Sequence, residues 1–402
     1  MTSTETGLPV FPVDRDARCP LDPAPVYREW RETGGLRKVN WQGHEMWAVS
    51  RHEDIKLAMT DPRISAEVAA QQASGEHHGD TMPKIFPRMD DPEHAVLRRM
   101  LTKDFTVKRV NAMRPEIEKL AGELIDAMVS GGGPADLVQA YALPVPSLVI
   151  SLLLGVPYSD HQFFQDITGV LMSRTATAEE RQQANVKIFG YLYELVARKQ
   201  NDPDGALISR LIHEHLPTGE LTRETIAMNS FILLSAGHET TANMISLGTL
   251  ALLQNPETLA RIRDAEDPRV ISNAVEELLR YLTIVHSLVA RVAKEDIEIG
   301  GTLVKAGEGL IMNLPAANRD PAFLDNPDSL DIDRSTRTHM AFGYGVHQCL
   351  GQTLARAELE IALPTLLRRL PDLRLAVPIE EIRFRGDMSI YGVHELPVAW
   401  EK

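Results

Sequence analysis

The chain has little cysteine, few aromatic residues and no excess of positive charge. Its two cysteines, Cys19 and Cys349, stand near opposite ends of 402 residues. That excludes a disulfide framework, and a working thiolate prefers a reducing compartment. The net charge of −14 opposes nonspecific binding to nucleic acid or to an anionic membrane over most of the surface. No apolar run approaches the roughly 18 residues that would span a bilayer, and residues Met1–Pro25 are polar and Pro-rich, without a signal segment. These absences lead us to expect a soluble, cytoplasmic protein with neither nucleic acid nor membrane as partner. No repeat, low-complexity tract or Ser/Gly linker divides the chain, so residues 1–402 are read as a single domain. Aromatics make up 5% of residues against 44% hydrophobic overall, so an internal cavity should have mainly aliphatic walls.

What is present concentrates at one cysteine. Ala341-Phe342-Gly343-Tyr344-Gly345-Val346-His347-Gln348-Cys349-Leu350-Gly351 is a Gly-rich turn that opens a helix, whose apolar face is Leu350, Leu354, Ala357 and Ile361. Exposed N–H groups and the dipole at a helix N-terminus favour an anionic sulfur. Gly343, Gly345 and Gly351 permit positive φ or the close approach of a flat ligand, while Phe342 and Val346 would keep water from the sulfur. Zinc would need further Cys or His at short spacing; one thiolate in an apolar pocket suits haem iron. A lone Cys is more often a small buried hydrophobe, but the Phe-x-x-Gly-x-His-x-Cys-x-Gly spacing outweighs that reading.

Helical periodicity dominates Val107–Met128, Ala184–Lys199, Thr222–Leu253 and Val270–Tyr281, with short strands expected at Glu45–Ser50, Ile297–Ile299, Thr302–Val304 and Leu310–Leu314. The expected fold is mainly α with a small β-sheet region. Residues 68–88 and 156–178 are candidates for mobile lids. The Thr222–Leu253 helix is apolar nearly all round, except at Ala236-Gly237-His238-Glu239-Thr240-Thr241. Ala236 and Gly237 leave room for a ligand, and Glu239 and Thr240 offer an acid and a hydroxyl. Equally, Thr240 could back-bond to the preceding turn and Glu239 could pair with a buried base. Glu277 and Arg280 share a helical face, with Arg334 a third member of a charge network. His94, Arg98, Arg291 and His347 are cations from separate segments that could converge on an anionic group.

These pieces, in this order from Phe11-Pro12 to Ile390-Tyr391-Gly392-Val393, resemble the cytochrome P-450 superfamily, the haem-thiolate monooxygenases, and within it the soluble bacterial, actinomycete-type class. The resemblance implies haem b (iron protoporphyrin IX) between the long central helix and the Cys-loop helix. Cys349 would be the axial ligand of the iron. His94, Arg98, Arg291 and His347 would hold the propionates, and Ala236, Gly237, Thr240, Phe342, Gly343 and Gly351 would contact the ring. Glu239 and Thr240 would deliver protons, with Glu277, Arg280 and Arg334 as the structural network. Two departures stand out. The segment before Arg334 matches the family pattern only loosely, and Glu239 stands where many relatives carry Asp.

The resemblance further implies that one atom of O2 enters a C–H bond of a hydrophobic small molecule, a secondary metabolite such as a macrolide, polyketide or terpenoid, or a sterol-like compound or xenobiotic. Met82, Ile85, Leu233, Ala236, Val285, Leu288, Val289, Ile390 and Tyr391 would line the substrate pocket. Electrons would come from ferredoxin and an NAD(P)H-dependent ferredoxin reductase, docking a monomer at the basic stretch Arg98, Arg99, Lys103, Lys108, Arg109 and Arg114. Epoxidation, dealkylation, oxidative coupling, peroxide-driven oxygenation and a non-catalytic haem-thiolate sensor remain open alternatives.

Overall fold

The computed structural model describes residues 7–69, 85–334 and 337–401. It is mainly helical, at 54%, with small sheets. The central helix spans Arg223–Leu253, about 46 Å at ~1.5 Å per residue. Thr222 starts it, its hydroxyl accepting the Thr225 N–H. Apolar on all sides, it is packed by the helices Pro144–Leu154, Ala178–Asn201 and Gln352–Arg369, and together these form the largest hydrophobic core.

Helices form over each periodic stretch, and the one expected over Thr222–Leu253 keeps nearly those bounds, starting at Arg223. The helix expected from Ala184 begins at Ala178, because Thr177 and Glu180 form a capping box: the Thr177 hydroxyl accepts the Glu180 N–H and the Glu180 carboxylate accepts the Thr177 N–H. Polar residues fill that first turn, so the apolar pattern starts late. Most of the second lid candidate, 156–178, is a helix, His161–Met172, that buries Phe164, Ile167 and Thr168. The Arg181 guanidinium donates to the Leu171 and Ser173 carbonyls at its end, which ties the segment down. Of the first lid candidate, residues 70–84, Met82 among them, lie outside the described residues.

The larger sheet has the strand order Leu36–Trp41, His44–Val49, Gly309–Met312, Ala290–Ala293, Ile64–Ser65. Its middle pairing, His44–Val49 with Gly309–Met312, is parallel and its other pairings are antiparallel. The hairpin Ile297–Ile299 with Thr302–Val304 forms as read from the sequence. Where a strand over Leu310–Leu314 is expected, the strand stops at Met312 and Asn313 caps the short helix Leu314–Ala317. Strand Ala290–Ala293 carries Arg291, and so brings the sheet to the edge of the helical core.

Candidate active site

Cys349 lies three residues before the helix Gln352–Arg369. Its own N–H donates to the Phe342 carbonyl at 2.9 Å, closing the loop. The backbone N–H groups of Gly351 and Gln352 favour the anionic form of the sulfur. Although Cys349 has exposed surface, it lines an internal cavity of about 370 Å³. That exposure is therefore toward the cavity, and burial in the protein pushes the thiol above its ordinary value, opposed by those N–H groups and by Arg98 and Arg356. A metal bound there would supply the missing pull, since a coordinated thiol is deprotonated outright.

Gly345 is obligatory: its φ is +70°, and a Cβ there would stand 2.6 Å from the Met59 carbonyl oxygen. Gly351 has φ −81°, so its use is closeness to the cavity it lines, not an unusual backbone. Phe342 lines the cavity, but Val346, expected to shield the sulfur, is 54% exposed on the outer face. The turn Gly345–His347 swings it outward.

The helix Pro268–Leu282 anchors this loop through two adjacent carboxylates. Glu277 accepts from Arg280 Nε at 2.8 Å and Nη2 at 2.7 Å, with both side chains wholly buried. It also accepts the Asp331 N–H, and Arg334 Nε lies 3.3 Å away. Glu276, which sequence reasoning passed over, binds His339 at 3.1 Å and Arg356 in two places. Burial pushes the Glu276 carboxyl up, but His339 and Arg356 together outweigh it and hold it at about 2. The Arg356 guanidinium also stacks on the Phe342 ring at 4.5 Å. The Glu-Glu doublet was the available signal: neighbouring positions on a helix face different partners.

Two arginines and two histidines gather along one edge of the cavity. Arg98, Arg291 and His347 line it, and the His94 ring lies against His347 with centroids 4.1 Å apart. Among the described residues, neither Arg98 nor Arg291 forms an ion pair; they donate to the carbonyls of Gln348 and Ala290. His94 Nδ1 is bonded to Asp91, while its buried Nε2 has no hydrogen-bond partner. Burial lowers Arg98, takes Arg291 to about 10 and, with the Arg291 and His94 charges, takes His347 to about 3. Guanidiniums held at the cavity without carboxylate partners fit a ligand with anionic arms. Such an edge beside a single thiolate suits haem and its propionates. Among the described residues no cluster of three or more His, Cys, Asp or Glu could hold a metal ion by itself.

Across the cavity, Ala236, Gly237 and Thr240 of the central helix form the facing wall. The Thr240 hydroxyl donates to the Ala236 carbonyl at 2.7 Å, the back-bonded arrangement. Glu239, adjacent in sequence, does not line this wall. Its carboxylate accepts from Arg385 Nη1 at 3.0 Å, and Asn243, beside it, receives a 3.3 Å bond from the same nitrogen. Arg385 comes from a segment held tightly on the helix, since a Cβ on Gly392 would lie 1.6 Å from Asn243 Oδ1. No local pattern announces Arg385.

Of the expected substrate-pocket residues, Leu233, Ala236, Val285, Leu288 and Val289 line the cavity. Ile85 is buried but off the wall, where Phe86 and Pro87 stand instead. Ile390 and Tyr391 are also off it. Ile390 bridges to Val285 through its backbone and packs into the core. Tyr391 points away, its hydroxyl donating to the Pro20 carbonyl and its ring lying under Arg15. The backbone thus supports the pocket while these side chains fill the core behind it. Ile232, Met244, Leu279 and Ile284 complete a largely aliphatic lining.

The cytochrome P450 family pattern matches residues 26–371. Cytochrome P450-SU2 of Streptomyces griseolus is 52% identical over 410 aligned positions, covering 100% of each chain. The vitamin D3 dihydroxylase of Streptomyces griseolus is 44% identical over 99% of this chain and 98% of its own. The crystal structure of the mycinamicin VIII C21 methyl hydroxylase of Micromonospora griseorubida, bound to mycinamicin VIII, is similar with a TM-score of 0.90 at 40% identity, over 98% of this chain and 100% of that one.

Proposed function

The chain belongs to the cytochrome P450 family, and from that premise we propose that it hydroxylates a C–H bond of a large apolar molecule held against Ala236, Gly237 and Thr240. The family is one of haem-dependent monooxygenases, so haem b is the cofactor and O2 a substrate. The carrying observation is that the Cys349 sulfur and the Thr240 hydroxyl both belong to the wall of one cavity. Bound through that sulfur, haem would supply O–O bond cleavage, which thiolate ligation favours. Arg98, Arg291, His94 and His347 bind its propionates and fix its orientation. The aliphatic lining selects an apolar substrate and excludes water. Relatives named for vitamin D3 and mycinamicin VIII support a substrate of that character.

Thr240 holds the proton nearest the reacting oxygen, its hydroxyl turning from the Ala236 carbonyl into the cavity. Thr240→Ala should consume reductant while releasing hydrogen peroxide, with product per reductant falling roughly a hundredfold, the lower end of the range for losing a proton-transfer group. Unchanged coupling would remove Thr240 from this role. A compound library screened for the low- to high-spin shift on binding tests the substrate class. Product analysis of the hits, with ferredoxin, reductase and NADPH against peroxide alone, tests the reaction. Epoxide, dealkylated or coupled products would overturn hydroxylation, and binding without turnover would overturn catalysis.

Electrons are proposed to come from an acidic ferredoxin docking at the basic stretch that ends near Arg114, on a monomer. Lys103 pairs with Glu214 and Arg109 with Asp104, but their side chains stay 55% and 57% exposed. Phe105, between them in sequence, lines the cavity beside Leu350 and lies against Gly351, so this surface backs onto the Cys loop. Reversing both charges should slow ferredoxin association at low salt, with the difference fading toward ~1 M salt, where the Debye length is about 3 Å. A salt-independent result would exclude docking there.

A further inference from the structure

Behind the distal wall lies a second, smaller chamber, between the central helix and the helices Pro144–Leu154 and His161–Met172. Ser147 and Ser151 line it from the first, His161, Gln165 and Thr168 from the second, and His238 from the central helix, with Ile150, Phe164 and Leu234 as its apolar part. Its open volume is about 10 Å³, room for about one water. His238 is 4% exposed, and its Nε2 is buried without a hydrogen-bond partner. The other ring nitrogen, Nδ1, lies 4.0 Å from Glu239 Oε1. His161 and Gln165 are only partly buried and form the outer side.

A buried ring nitrogen with no partner, opening on a hollow sized for one water with Ser, Thr and Gln side chains in its wall, is a water site: leaving the nitrogen dry forfeits its hydrogen bond. From the monooxygenase reading above, we propose that this chamber is a proton inlet to Glu239, the residue before Thr240, with His238 passing protons from chamber water to its carboxylate. His238 acts through Glu239 and is a positioning residue in this sense. The groups that face it are consistent with a neutral resting ring. Burial lowers its pKa; Glu239 works against that, while Arg385 and His161 reinforce it. The helix Pro144–Leu154 contributes no ionisable group.

In the transfer, Nε2 takes a proton from chamber water while Nδ1–H gives one to the Glu239 carboxylate, a small side-chain movement closing the 4.0 Å gap to hydrogen-bond range. Only N–H and O–H bonds change. Bulk water reprotonates the chamber past His161 and Gln165, and a turn of the ring restores the starting tautomer. Arg385 holds the other oxygen of Glu239, so the carboxylate stays in reach of His238 during the exchange.

Three variants of the holoenzyme test this: His238→Leu, His238→Gln and Ser151→Val, the last filling the chamber with His238 intact. All should keep the substrate-induced spin shift and the red-shifted Soret band of the reduced carbon monoxide form; loss of that band from the unaltered enzyme would instead refute the haem-thiolate reading. Turnover should fall roughly three- to tenfold, short of the ~100-fold that losing a direct acid–base group costs, with a larger solvent deuterium isotope effect. His238→Gln, which keeps hydrogen bonding but not a titratable ring, should behave as His238→Leu. In ¹⁵N spectra the unaltered His238 should show the Nδ1–H tautomer, with exchange against solvent slowed by Ser151→Val. A glutamine variant with wild-type turnover and isotope effect, or exchange unchanged in Ser151→Val, would overturn the inlet. Should His238→Leu fail to fold, the other two variants decide.

Discussion

Cys349→Ser should abolish turnover and remove the red-shifted Soret band of the reduced carbon monoxide form. Serine keeps the volume and both N–H donors, from Gly351 and Gln352, so the loop should still close through the Cys349–Phe342 backbone bond. What disappears is the soft, anionic donor: a hydroxyl is far harder to deprotonate and does not give iron the electron density that an axial thiolate provides. The variant should therefore separate folding from chemistry, with circular dichroism near that of the parent and no oxygen inserted. A Soret band at the wild-type position would sink the assignment of Cys349 as the axial ligand.

Arg280→Leu should cost about 3–5 kcal/mol of stability, the usual result of leaving one charge of a buried pair uncompensated. Neither Arg280 nor Glu277 has any exposed side-chain surface. Arg280 also donates to the carbonyls of Asn318, Pro327 and Ser329, which lead toward the Cys loop. Arg280→Lys should be nearly as damaging, because one ammonium cannot span a bidentate carboxylate and three carbonyls. Arg334→Ala should cost much less: its side chain is 13% exposed and its Nε stands 3.3 Å from Glu277. Denaturant midpoints check the ranking, and a loss under ~1 kcal/mol in Arg280→Leu would show that the pair does not brace the loop.

The elements that position the site were legible because they are local. Helix periodicity, the glycines around Cys349 and the Glu277-x-x-Arg280 spacing all lie within one or two turns of chain. Glu239 is the instructive case. Both an acid facing the cavity and a carboxylate paired with a base fitted the sequence, and only Arg385, 146 residues on, decides between them. Glu276 with Arg356 is similar, a contact across 80 residues. Ile390 and Tyr391 were misplaced by side-chain direction: the backbone bridges to Val285 on the pocket wall, but Ile390 packs into the core and Tyr391 reaches Pro20 and Arg15, contacts distant in sequence. The helix His161–Met172 was missed for a different reason. Gly169 and the β-branched Ile167 and Thr168 weaken its propensity, and burial against the Ala178–Asn201 helix supplies what the local sequence lacks.

The edge formed by Arg98, Arg291, His94 and His347 has a consequence for the life of the protein before it works. Two guanidiniums held there without a carboxylate, Arg291 buried and Arg98 half-buried, carry a desolvation cost that an anionic ligand removes. Whatever binds the folded form there and not the unfolded one adds stability in proportion to RT ln(1 + [L]/Kd). Newly made chains are thus sorted by cofactor supply: those that find haem settle into a long-lived form, and those that do not stay closer to unfolding and to the proteases that act on it. Abundance of the protein in a cell should then follow haem availability without any dedicated regulator.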